Sequence, residues 1–210
     1  GEQAVTFNTY PPSWYWADWQ NLSANWISLI NRSTYAGTGT LRFYDLAGST
    51  LANLPVSLAA GERTDISGHQ FGLNIAGYVL WVPNDLSQQF ELKNLRYIYD
   101  NPGIVESFDT AFQIDGSPGS GSLLTVPLDT VGRSAILEIS NILNKAVSVV
   151  VKVYSSEGSL LSTLNYQLGA RESVHKIMDD TLVNSRGIAT IKGGDLGSIY
   201  TVVMQYDRRT

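Results

Sequence analysis

Two octapeptides set the frame: Leu41-Arg42-Phe43-Tyr44-Asp45-Leu46-Ala47-Gly48 and, 110 residues further on, Val151-Lys152-Val153-Tyr154-Ser155-Ser156-Glu157-Gly158. In each, the first and third residues are apolar and the second is basic. That period of two buries one face of a β-strand and wets the other. The polar loop that follows ends in glycine, the residue that accepts the positive φ of a tight hairpin. Beyond the loops the alternation resumes, with Leu54, Val56 and Leu58 in one stretch and Leu164, Tyr166 and Leu168 in the other. Each stretch reads as a β-hairpin.

The same displacement extends outward. Ile27-Ser28-Leu29 and Asn31 fall on Leu137-Glu138-Ile139 and Asn141, Glu62 falls on Glu172, and Gly77 falls on Gly187. At the ends the displacement reads as 107, matching Ala4-Val5-Thr6-Phe7-Asn8 to Ala111-Phe112-Gln113-Ile114-Asp115 and Tyr99-Asp100 to Tyr206-Asp207. The run 116–122, rich in Gly and Ser, and the loops after Gly77 and Gly187 absorb the changes, where length variation costs little. Self-similarity at a fixed period is the mark of a duplicated unit. Strand-sized runs punctuated by turn signals, with no sustained helical periodicity, indicate sandwiches or barrels. The expectation is an all-β chain of two tandem, internally duplicated, immunoglobulin-like β-sandwich domains. They span residues 1–103 and 104–210, with the boundary at the turn Asn101-Pro102-Gly103. The stretch Ile104 to Phe112 also fits a short helix, through Ile104, Val105, Phe108 and Phe112.

A strand ending in asparagine (Leu29-Ile30-Asn31, Ile139-Ser140-Asn141), then Phe-Tyr or Val-Tyr, then a glycine hairpin, resembles the immunoglobulin-like or fibronectin-like modules of microbial cell-surface proteins. The resemblance implies a sandwich fold and identifies no activity, since such folds host many functions.

Composition narrows the function. The chain has 210 residues, 43% hydrophobic and 16% charged, enough apolar material for packed cores. Its 14 basic residues against 19 acidic ones give a net charge of -5. No basic cluster is present to neutralise phosphates, so nucleic acid is not an expected partner. Cysteine is absent, which removes disulfides and thiolate sites. No run approaches the length of a membrane span, and no signal peptide opens the chain. Beginning at Gly1, it reads as processed or trimmed.

Four of the five tryptophans, Trp14, Trp16, Trp19 and Trp26, crowd one N-terminal stretch together with Tyr10 and Tyr15. Aligned with the second copy, Trp14 and Trp16 meet Leu124 and Val126, an alternating apolar pair, and are expected in the core. Trp19 meets Asp129. Trp26 meets Ile136 and takes the outward parity, opposite to Ile27 and Leu29. Grouped exposed aromatics mark contact surfaces. Trp19 and Trp26, with Tyr15 and Trp81, are the candidate binding or interface residues, offered to a protein partner or, by stacking on sugar rings, to a glycan.

Motifs for catalysis are few. His69 and His175 do not occupy equivalent positions. Ser173-Val174-His175-Lys176 matches S-x-x-K but follows a strand, where the serine-nucleophile motif needs a helix. Asp65 and Asp179-Asp180 are oxygen donors suited to calcium, without an EF-hand spacing, and read as solvated turns. Asn21-Leu22-Ser23 and Asn31-Arg32-Ser33 are N-glycosylation sequons. The sequence therefore predicts a non-enzymatic structural or adhesive protein, extracellular or at the cell surface. No cofactor or metal is expected, and carbohydrate binding is the alternative.

Overall fold

The computed structural model describes residues 1–9, 23–99 and 108–207. It is all-β, built from antiparallel sheets, and falls into two compact units, Gly1–Pro118 and Gly119–Thr210.

In the first unit the strands are β1 (Gln3–Asn8), β2 (Ser23–Asn31), β3 (Gly37–Asp45), β4 (Thr50–Leu58), β5 (Arg63–Ser67), β6 (Ala76–Pro83), β7 (Phe90–Tyr99) and β8 (Phe108–Asp115), with a 3-10 turn at Gly68–Phe71. Sheet A has the order β1-β6-β3-β4 and sheet B the order β5-β2-β7-β8. The sheets pack face to face. Trp81 of sheet A tilts against Phe90 of sheet B with ring centroids 4.6 Å apart, and within sheet A Phe43 meets Phe7 edge-on at 5.9 Å. Leu41, Phe43 and Leu58 are buried and Leu54 is half-buried, as the alternation predicts. Polar groups also join the layers: Asn94 Nδ2 donates to Thr6 O (2.7 Å) and to Asn25 Oδ1 (2.7 Å), and Asn25 Nδ2 donates to Asn8 O (2.7 Å).

The second unit comprises β9 (Leu124–Asp129), β10 (Arg133–Asn141), β11 (Val147–Ser155), β12 (Leu160–Leu168), β13 (Ser173–Ile177), β14 (Arg186–Gly193) and β15 (Ile199–Asp207). Its sheet A′ has the order β9-β14-β11-β12, and sheet B′ the order β13-β10-β15. Val151, Val153 and Leu168 belong to its core, with Leu164 packed against them.

Local chemistry repeats between the units. Gly48 and Gly158 sit at φ 81° and 83°, closing hairpins whose register slips at Phe43/Tyr44 and at Val153/Tyr154. Asn31 is fully buried, and its Nδ2 donates to the carbonyls of Tyr35, Leu58 and Ala59. Asn141 Nδ2 donates to those of Lys145, Leu168 and Gly169. A Cβ on Gly77 or Gly187 would stand 1.9 or 2.1 Å from the carbonyl oxygen of Tyr44 or Tyr154, so only glycine fits that crossing. Thr9 and Thr130 make matching bonds: each backbone N–H and hydroxyl reaches one carbonyl, of Ile75 or Ser185, whose own N–H donates back to the hydroxyl.

The structure departs from the expected alignment at both ends. The strand that pairs with β14 as β1 pairs with β6 is β9, not β8: Phe7 lies opposite Gly77 and Leu128 opposite Gly187. Leu124 and Val126 therefore match Gln3 and Val5, not Trp14 and Trp16, and Asp129 matches Asn8, not Trp19. Phe90 and Ile199 both pair with the strand-final asparagines Asn31 and Asn141, which places Tyr97, not Tyr99, level with Tyr206. Residues 108–115 form strand rather than helix and pair with β7. The first unit thus extends past the boundary expected after Gly103, since this ladder ties β8 to the sheet before it. Among the immunoglobulin strands, the first shares a sheet with the second and the seventh with the sixth. Here β1 joins β6 and β7 joins β2, while the inner pairs β2–β5 and β3–β6 keep the immunoglobulin arrangement.

Candidate functional site

The outer face of sheet B carries an open cleft of about 380 Å³ lined by Trp26, Arg63, Asp65, Leu95 and Tyr97. Strand register explains the grouping. Trp26 lies directly opposite Leu95 on one side and Ser67 on the other, and Tyr97 sits one outward step along β7, opposite Ala24. Arg63 and Asp65, two apart on β5, share that face and pair through Nε and Nη2 to Oδ1, both at 2.8 Å. Trp26 is 39% exposed in mid-strand, in keeping with its outward parity. The cleft combines an indole and a phenol with a fixed cation and anion, a set suited to stacking and hydrogen bonding.

Farther along the face Lys93 bridges Glu91 (2.6 Å) and Asp115 (3.4 Å), and Glu91 also accepts from Arg32 Nε (2.6 Å). Hydrogen bonds from Lys93 and then Arg32 hold the Glu91 carboxyl below its ordinary value, and Glu91 in turn raises Lys93. These charges rim the aromatic patch.

Of the expected site residues, Trp26 and Trp81 are described, and they do not come together. Trp81 is fully buried in the core, opposite Leu41 and over Gly39, and has no face to offer a ligand. Its role as a stacking ring is ruled out. Tyr15 and Trp19 lie outside the described residues, as do Trp14 and Trp16. Of the two described candidates, Trp26 lines the cleft and Trp81 does not. Leu95 and Tyr97 are hidden in the sequence because β7 inverts the usual polarity: polar Asn94 and Arg96 are buried, while Leu95 and Tyr97 face outward. Asp65, expected as an oxygen donor in a solvated turn, instead stands on β5 paired with Arg63.

The remaining motifs are accounted for by structure. Ser173 and Lys176 lie three apart on β13, on opposite faces of the strand, and Ser173 Oγ donates to or accepts from Ser140 Oγ at 2.8 Å. Asp179 accepts from Ser134 Oγ (2.6 Å) and Ala135 N (3.0 Å), and Asp65 is held by Arg63. The Asn31 sequon has its amide buried and fully engaged, closed to modification in the folded chain. His69 is half-buried, and burial followed by the nearby Arg96 charge lowers its pKa from 6.5. Among the described residues no cluster of three or more His, Asp or Glu is placed to hold a metal ion. None of the described helices is long and apolar enough to cross a membrane, which does not bear on β-barrels. No family model matches the chain, and no curated protein matches it.

Proposed function

We propose that this chain is a non-enzymatic structural or adhesive protein of the cell surface or extracellular space. It consists of two tandem copies of one sandwich module, immunoglobulin-like in its inner strands, that meet a protein partner through the outer face of sheet B. One observation carries the contact: Trp26 stands exposed in the middle of a strand, beside Leu95 and Tyr97, where a solvated sheet face ordinarily carries polar residues. The recurring asparagine clamps, glycine crossings and threonine bonds support duplication of a module, because each is an uncommon demand met twice at matching positions.

Glycan binding is the second reading, favoured by the Arg63–Asp65 pair set next to the indole, which adds hydrogen-bonding groups to a stacking surface. The Trp26→Ala variant separates the two, with light scattering reporting self-association, a glycan array reporting sugar binding, and thermal melting reporting the fold. Removing a central aromatic from a contact costs about 2 kcal/mol or more, roughly thirtyfold in affinity. Weakened association with an unchanged melt supports the contact, and weakened glycan binding alone supports the second reading. If only stability falls, both are wrong.

A further inference from the structure

We infer that the outer edge of β12 pairs antiparallel with β12 of a second copy of this chain, across a two-fold axis at Leu164, joining two A′ sheets into one. The edge does not depend on where β12 falls in the chain. Its counterpart β4 is likewise outermost in sheet A, although a whole further unit follows it. What differs is how the two edges are made. An exposed sheet edge is a row of unpaired N–H and C=O groups, which proteins ordinarily blunt with proline, charge or a covering segment. Among the described residues the other outer strands are treated in that way. Pro55 stands in β4, Pro127 in β9, Asp65 in β5, Asp115 in β8 and Lys176 in β13. β1 and β15 carry bridges to Ser117 and Ser120. Only β12, the 9-residue strand Leu160–Leu168, has neither proline, charge nor bridge.

Pro55 reveals which groups this edge presents. Within a sheet, proline is tolerated where its nitrogen faces away from the neighbouring strand. Pro55 lies opposite Thr40, so its nitrogen points off the free edge of sheet A. Asn165 occupies the same register in sheet A′, opposite Val150. Its N–H therefore points off the edge of sheet A′. Amides alternate between the two sides of an antiparallel strand, so the N–H of Thr163 points the same way. Where the first unit has a proline that cannot donate, the second presents free donors.

The strand selects its own copy as occupant. A two-fold axis at Leu164, the middle residue, overlaps β12 with itself from end to end. Thr163 and Asn165 of one copy then stand opposite Asn165 and Thr163 of the other as hydrogen-bonded pairs. This register keeps every side chain on its own face of the sheet, as pairing demands. Leu164 meets its own counterpart in a pair without main-chain bonds, the kind in which side chains approach most closely. Leu164 and Tyr166 are half-buried at the margin of the core, while Leu160 and Leu161 are exposed at one end of the strand. The overlap therefore adds apolar contact at its centre and at its ends. Because the strand carries no charge, the two-fold axis sets no like charges against each other.

This pairing goes beyond the sheet B contact and uses none of its residues, so either can fail alone. Analytical ultracentrifugation and residue-resolved hydrogen exchange on the intact chain test it, with Asn165→Pro as the first variant. That substitution copies the residue the first unit already holds at this place, Pro55. The native chain is expected to show a concentration-dependent monomer–dimer equilibrium, with the amides of Thr163 and Asn165 slowing as the dimer fills. Asn165→Pro removes one intermolecular donor from each copy and is expected to weaken the dimer roughly thirtyfold. A second variant, Thr163→Lys with Asn165→Lys, changes two exposed positions and sets lysines directly opposite one another. It is expected to abolish the dimer with the melting temperature unchanged, and it decides the matter if proline disturbs the fold. A native chain that stays monomeric at millimolar concentration, a dimer that either variant leaves unchanged while folded, or a dimer whose Thr163 and Asn165 amides exchange as fast as in the monomer would each overturn the proposal.

Discussion

The two units share their fixed points and differ in what surrounds them. In the first, the outer face of sheet A is closed: Ala4, Thr6, Tyr44, Tyr78 and Leu80 are all buried, and β6 is buried along nearly its whole length. The corresponding residues of the second unit are Thr125, Pro127 and Ile188, exposed, with Tyr154 and Thr190 half-buried. Among the described residues, sheet B is four strands wide and sheet B′ three. The asparagine clamps, the glycine crossings and the threonine pairs survive unchanged. The two units thus share these backbone requirements, while their faces and edges differ.

The clamps give the sharpest test of this equivalence. Asn31→Ala and Asn141→Ala each remove a buried amide donor shared by three carbonyls and the acceptor for one loop N–H, of Ser33 or Leu143, while the carbonyls of Ala59 and Gly169 keep a bond from the N–H of Glu62 or Glu172. Each is expected to cost about 1–3 kcal/mol, the penalty for leaving a buried polar group without a partner. Denaturant unfolding measures both. A large loss at one and none at the other would break the comparison.

A smaller effect distinguishes the units by pH. His69 occurs in the first, and the matching position in the second is Asp179. Since the folded state lowers the pKa of His69 from 6.5, its neutral form is favoured on folding. That contribution is complete above about pH 6.5 and is lost as the pH falls from there through the folded value. Melting curves between pH 7 and 5 should show the native chain losing stability relative to His69→Gln as acid is added. Parallel curves would contradict this.

The parts of the fold legible in the sequence were those where geometry dictates residue type. Positive φ required Gly48 and Gly158, close approach required Gly77 and Gly187, and the clamp required Asn31 and Asn141. Strand alternation placed Leu41, Phe43, Val151 and Val153 inward and Trp26 outward. Pairing partners of the outer strands were not legible, because period-two alternation fits any edge. Residues 111–115 and 124–128 both carry that alternation, and nothing in either says whether it will lie beside β6, β7 or β14. The cleft was half legible. Trp26 announced itself, whereas Leu95 and Tyr97 were hidden by the buried Asn94 and Arg96, whose hydrogen bonds and stacking depend on strands distant in sequence. Trp81 misled for a related reason: its burial depends on Gly39 leaving room beneath it, a contact made only by the folded sheet.

The proposed equivalence of the units makes β7 and β15 counterparts, one covered by β8 and one, among the described residues, open. Residue-resolved hydrogen exchange on the intact chain tests this directly by comparing Lys93–Tyr97 with Val202–Tyr206. In an antiparallel ladder, amides alternate between the two neighbours. The account predicts slow exchange at every position from Lys93 to Tyr97, and an alternation of slow and fast from Val202 to Tyr206, with the fast amides being those directed away from β10. Uniform protection along both strands, or alternation along both, would contradict it.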